Sequence, residues 1–264
     1  MADDLNLIAI SVGNSRTACA LYEGGKREES ERFGNAELPG LVEQMTAWWR
    51  RIADAPRAAI VLASVNAAIA DRVALTLEDQ LSVDVYRVSR DLPIPIGRQL
   101  EPETMTGPDR LLNAAAAFDT VKQACIIVDA GTAVTVDFVD GEGTFHGGAI
   151  APGGSLQLNA LHEHTAALPD VKFDAPDDEA FGRSTTQAML HGVYHGIRGM
   201  IWRLVEQYAE AYGAYPMVIA TGGDAELLFS HDELIDRIVP DLTLMGIAAA
   251  ARHALVPDDA DVRP

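Results

Sequence analysis

Two short segments of this chain place a glycine beside small polar side chains between apolar runs, a combination suited to holding phosphate. Residues 7–25 read LIAISVGNSRTACALYEGG, and residues 125–143 read CIIVDAGTAVTVDFVDGEG. Shifted by 118 positions, Gly13 falls on Gly131, Thr17 on Thr135 and Gly25 on Gly143, with Ile8 and Ile10 on Ile126 and Val128. Each segment is an apolar run, a glycine turn and a second β-like run, which is the signature of a β-hairpin. A glycine lets the backbone come close to a ligand, and turn N–H groups can bind anionic oxygens without a cationic side chain. Asn14, Ser15, Thr132 and Thr135 add short polar groups. One such turn is ordinary; two copies read as a clamp for the phosphates of a nucleotide.

Two copies so far apart point to two similar domains, because solenoid repeats recur at shorter periods. Ala58–Val65 reads as a buried strand, and Ala67–Gln80 as an amphipathic helix after it. Leu41–Ile52 is helical and carries Trp48 and Trp49. Gly107-Pro-Asp-Arg opens a helix over Leu111–Val121, whose alanine run permits close packing. Thr185–Tyr212 is the longest helical stretch, with a break expected near Gly196 or Gly199, and Met217–Ala220 is a short strand. The fold class is α/β, two related halves around a central cleft. The expected division is residues 1–117, residues 118–256 and a polar, frayed tail at 257–264.

The bulk numbers narrow the function. Apolar residues are 48% of the 264, enough for two cores. A net charge of −19 argues against a nucleic-acid partner, which needs clustered Lys and Arg. No apolar run is long enough and charge-free enough to span a bilayer, so a cytoplasmic protein without a membrane partner is expected. Cys19 and Cys125 read as small core residues. His162, His164, His191 and His195 lack a third ligand at metal-binding spacing, so they read as surface and helix-face residues.

The motifs resemble those of type III pantothenate kinases, the family also called Bvg accessory factor. Ile10-Ser-Val-Gly-Asn-Ser is similar to its first phosphate motif, Gly107-Pro-Asp-Arg to its Gly-x-Asp-Arg motif, and Asp129-Ala-Gly-Thr-Ala to its second phosphate motif. Gly147–Gly153, Thr165–Pro169, Gly182–Thr185 and Thr221-Gly-Gly-Asp224 follow in the family's order, the last as an adenosine-side turn. The resemblance implies two duplicated actin/Hsp70-like (ribonuclease H-like) domains and ATP-dependent phosphorylation of pantothenate, the first step of coenzyme A synthesis. It implies Asp109 as the general base, with Gly107, Pro108, Arg110 and Thr185 holding substrate. Ser11, Val12, Gly13, Asn14, Ser15, Arg16, Thr17, Ala18, Gly131 and Thr132 would bind ATP. Asp129 would help hold a monovalent cation, K⁺ or NH₄⁺, and Mg²⁺ would accompany ATP. A homodimer is implied too, with Thr185–Tyr212 as interface material.

Two positions depart from the family pattern. Ser11 stands where the family, and the second repeat at Asp129, has aspartate, and a hydroxyl brings no negative charge to a hard dication. Gln99-Leu-Glu-Pro-Glu lacks the tyrosine often found before the Gly-x-Asp-Arg motif. Beside pantothenate kinase, two readings therefore stay open. One is a weakened homologue that binds nucleotide or a partner in a regulatory role. The other is a kinase for a different hydroxyl substrate.

Overall fold

The computed structural model describes residues 5–256; the expected tail at 257–264 lies outside them. The order is β1 (Asn6–Val12), β2 (Arg16–Glu23), β3 (Lys26–Gly34), α1 (Leu38–Ile52), β4 (Ala58–Ser64), α2 (Ala67–Leu81), β5 (Val85–Arg87), β6 (Gly97–Arg98) and α3 (Pro108–Val121). There follow β7 (Cys125–Ala130), β8 (Ala133–Val139), β9 (Thr144–Pro152), α4 (Gly154–Glu163), α5 (Thr185–Tyr212), β10 (Met217–Thr221), α6 (Ala225–Phe229), β11 (Arg237–Ile238) and α7 (Leu242–Leu255). These group into two compact units. Among the described residues, the first holds 5–96, Glu103–Ala116 and 241–256; the second holds Gly97–Pro102 and Ala117–Pro240. The border near residue 117 falls inside α3, while α7 returns to the first unit because it packs on β1, β2 and β4.

The first unit is a five-stranded sheet in the order β3-β2-β1-β4-β5, in which β1, β2 and β3 run antiparallel and β4 and β5 continue parallel. The second repeats that plan as β9-β8-β7-β10-β11, with β6 added beside β9. In the first unit Ile8, Ile10, Cys19, Leu21, Ile60 and Leu62 pack against Met45, Trp48 and Ile52 of α1 and Val73 and Leu77 of α2. Leu7, Ile8, Ala9 and Ile10 are all fully buried, as an apolar run in a strand covered on both faces must be. α7 seats against α3 through a small residue: a methyl on Gly246 would lie 2.3 Å from Leu112 O. Nearby, Thr243 Oγ1 donates to the buried Asn113 Oδ1 at 2.8 Å.

In the second unit Ile126, Val128, Val134, Val136 and Val218 meet α5 through Met189, Val193, Ile197, Ile201 and Val205. Ser184 caps α5 by accepting from Gln187 N at 3.2 Å, and Gly213 ends it at φ +79°. The expected break near Gly196 or Gly199 does not occur; α5 runs unbroken for 28 residues. Glycine costs a helix about 1 kcal/mol, but these glycines lie on the exposed side while Val193, Ile197 and Ile201 anchor the opposite one. Both cysteines are buried free thiols, and burial pushes the Cys125 thiol up to about 12 and Cys19 higher still. Trp48 is a core residue whose Nε1 donates to Glu29 Oε2 at 3.1 Å, while Trp202 stays 43% exposed. No helix among the described residues is long and apolar enough to cross a membrane.

Candidate functional site

In the first unit the glycine turn joins β1 to β2. Val12 pairs with Thr17, so Gly13, Asn14, Ser15 and Arg16 form the turn. Gly13 N donates to Arg16 O at 2.9 Å, and a methyl on Gly13 would sit 3.0 Å from that oxygen. Asn35, just past β3, holds the rest. Its Nδ2 donates to Gly13 O at 3.0 Å and Asn14 O at 2.9 Å, its N–H donates to Ser15 O at 3.3 Å, and its Oδ1 accepts from Thr17 Oγ1 at 2.9 Å. Ser11 sits just before the turn, and its neighbours across the sheet are Ala18 and Ala63.

Asp109 lies in the first turn of α3, after Pro108, where proline's missing N–H costs nothing. Its Oδ1 accepts from Arg110 N at 2.9 Å, so the carboxylate sits at the positive end of the helix dipole. A methyl on Gly107 would lie 2.5 Å from that same Oδ1, so residue 107 must be small for Asp109 to hold this rotamer. Val65 joins the segments: its N–H donates to Val12 O at 3.1 Å, and its Cγ1 is 4.0 Å from the same methyl position on Gly107. The first glycine turn and the start of α3 are thus neighbours within one unit. Arg110 has partners of its own.

In the second unit the turn between β7 and β8 is one residue shorter. Ala130 pairs with Val134, leaving Gly131, Thr132 and Ala133. Backbone groups hold it: Gly153 N donates to Thr132 O and Asp224 N to Ala130 O, both at 2.9 Å. The approach is so close that only glycine fits. A methyl on Gly153 would lie 1.9 Å from Gly131 O, and one on Gly222, at φ +98°, 2.2 Å from Ala130 O and 2.5 Å from Asp129 Oδ1. Asp129 is flanked across the sheet by Thr135 and Thr221, so a carboxylate stands between two hydroxyl residues. Thr185 is the first residue of α5, and Gly182 folds onto that helix start, 2.4 Å from Ala188 N at its methyl position.

The shorter turn corrects one correspondence of the repeat. Thr17 pairs with Val12, but Thr135 pairs with Asp129, the counterpart of Ser11. The one-residue slip turns the two threonines to different environments; Thr17 is buried and Thr135 half-buried. Asn35 was not visible as a site residue because it lies beyond β3, outside the repeated segment. His191 does gain an acidic neighbour, Asp177 Oδ1 at 3.3 Å from Nε2, and His162 Nδ1 meets Leu168 O at 2.8 Å. No group of three or more His, Cys, Asp or Glu among the described residues is arranged to hold a metal.

The family profile of type III pantothenate kinases matches residues 7–207. The chain belongs to the type III pantothenate kinase family. A type III pantothenate kinase of Rhodospirillum rubrum is 37% identical over 255 residues, covering 94% of this chain and 98% of the relative. One from Roseobacter denitrificans is 32% identical with the same coverage. Among solved structures, a Baf family protein from Campylobacter jejuni superposes with a TM-score of 0.60 at 19% identity, covering 93% of this chain and 98% of the other. The (R)-2-hydroxyglutaryl-CoA dehydratase component A of Acidaminococcus fermentans gives 0.54 at 12% identity, covering 95% and 98%. These likenesses establish the fold, which is the actin-like ATPase fold expected from the sequence. Kinase chemistry with ATP follows from the family.

Proposed function

We propose that this protein transfers the γ-phosphoryl group of ATP to the primary hydroxyl of pantothenate. The observation that carries the reading is the family match over residues 7–207 combined with Asp109 poised at the start of α3. A carboxylate there accepts the hydroxyl proton as the oxygen attacks phosphorus, an effect worth about 10²–10⁴-fold. Gly107, Pro108, Arg110 and Thr185 carry the substrate-holding roles that the family resemblance implies. The turn over Ser11–Ala18 binds phosphate oxygens in the first unit, as Gly131 and Thr132 do in the second.

Among the described residues, the donors around Asp129 suit an oxygen-loving cation. Asp129, between Thr135 and Thr221, offers a carboxylate and neighbouring hydroxyls, whereas Ser11 lies between two alanines. Asp129 is therefore the residue to hold a monovalent cation and to take the larger share of metal binding. Mg²⁺ accompanying ATP would supply charge neutralisation at the phosphates. A cytoplasmic homodimer completes the reading; the exposed side of α5, with Gly192, Gly196 and Gly199, is its expected contact surface.

The test is incubation of the purified protein with ATP, Mg²⁺ and pantothenate, with and without K⁺. Cation-dependent 4′-phosphopantothenate is the expected product. Nucleotide binding without product from pantothenate would instead favour the regulatory reading, which Ser11 supports. Transfer to another alcohol would favour a changed substrate.

A further inference from the structure

Every carbonyl of the turn Gly13–Arg16 is engaged on the protein side. Gly13 O and Asn14 O accept from Asn35 Nδ2, Ser15 O accepts from Asn35 N, and Arg16 O accepts from Gly13 N. A trans peptide is planar, and its N–H points opposite to its C=O; no cis peptide occurs among the described residues. Drawing the carbonyls of Gly13, Asn14 and Ser15 toward Asn35 therefore turns the N–H groups of Asn14, Ser15 and Arg16 the other way. Three successive N–H groups on one side of a turn make a concave anion site. The two carbonyls at one end of the Asn35 amide require its nitrogen there, which leaves Oδ1 to accept from Thr17 Oγ1.

We infer that Asn35 is a positioning residue for the nucleotide phosphates, setting the first turn so that its N–H groups face the anion. This rests on the nucleotide-binding role of that turn, and it matters more here than in a turn preceded by aspartate. With Ser11 in place of a carboxylate, the backbone carries a larger share of phosphate and metal–phosphate recognition. Asn35 touches no substrate itself; its effect passes through the turn.

The experiment uses Asn35→Ala, which removes both side-chain donors, and Asn35→Asp, which keeps the size but faces two carbonyls with a carboxylate. Steady-state kinetics with ATP and pantothenate are read alongside ADP binding by calorimetry and thermal melting. The expected result is a KM for ATP raised about tenfold and ADP affinity lowered about tenfold, the loss of one to two hydrogen bonds' worth of orientation. The KM for pantothenate stays within about twofold. An unchanged ATP KM and ADP affinity in folded variants overturns the inference and leaves the kinase reading standing. Should the wild-type protein phosphorylate no pantothenate, that reading fails separately, and ADP affinity alone decides the role of Asn35. Equal losses for both substrates would show a merely structural residue and also overturn it. If Asn35→Ala does not fold, the isosteric Asn35→Asp carries the same comparison.

Discussion

The two glycine turns descend from the same sequence pattern and are secured by different means. The first has four residues between its paired strand residues and, besides two backbone bonds, is held by the side chain of Asn35, reaching from beyond β3. The second has three and is held by backbone, with Gly153 and Gly222 pressed against it where no Cβ fits. A side-chain clamp can be altered by one substitution without moving the chain, whereas a backbone clamp cannot. The same contrast appears in charge: Asp129 puts a carboxylate on the strand that enters the second turn, and Ser11 puts none at the matching position before the first.

The sharpest way to break this comparison is Gly153→Ala. The methyl would meet Gly131 O at 1.9 Å, so backbone must shift, with a stability loss of roughly 3 kcal/mol or more and loss of nucleotide binding. Urea unfolding checks it; a normally stable, nucleotide-binding variant would refute the backbone clamp. Gly13→Ala in the first turn meets Arg16 O only at 3.0 Å and should cost about 1 kcal/mol by the same measurement.

Asp232 offers a control within the second unit but away from its turn. Its side chain is 1% exposed and accepts from Arg198 at 2.8 and 3.0 Å and from Leu234 N at 3.0 Å. Burial works against its ionised form, but the hydrogen bonds from Leu234, Arg198 and Trp202 and the Arg198 charge prevail and hold it below the usual carboxylate range. A carboxyl depressed on folding adds stability above its unfolded value of about 3.9, and that contribution disappears as pH falls through the folded value. Asp232→Asn should therefore lose about 2 kcal/mol at pH 7. The gap from wild type should close as acid protonates Asp232, which chemical denaturation at stepped pH would follow; a gap independent of pH would contradict the assignment. The smallest expected change is a gain. Ser11→Asp restores the missing carboxylate between Ala18 and Ala63, and the Mg²⁺ concentration for half-maximal rate should fall about threefold to tenfold. No gain would mean that the first turn works without an acid at that position.

Much of this architecture could be read from residue order. The repeated apolar-glycine-apolar segments gave both hairpins, because burial and turn chemistry there act locally. The apolar run Ala58–Val65 and the amphipathic stretch Ala67–Gln80 marked β4 and α2 within one residue of their ends. β3 was missed because it is an edge strand of KREESERFG, with little apolar signal and side chains mostly exposed; charge of that kind protects an edge from pairing. α7 was missed as a first-unit helix because its place depends on packing with distant β1 and β4. Of the site, Asp109 and the glycine turns were legible through their motifs. Asn35 was not, since its role exists only once β3 brings it back beside Gly13. The one-residue difference between the turns was hidden too, because ungapped alignment cannot show a change of register.

The most direct test of the whole account is a single-turnover measurement of γ-phosphate transfer from ATP to pantothenate by wild-type protein and by Asp109→Asn. The account predicts 4′-phosphopantothenate from the wild type and a rate about 10²–10⁴-fold lower from the variant, with similar melting. A fully active Asp109→Asn enzyme, or a wild type that binds ATP and never phosphorylates pantothenate, would contradict it.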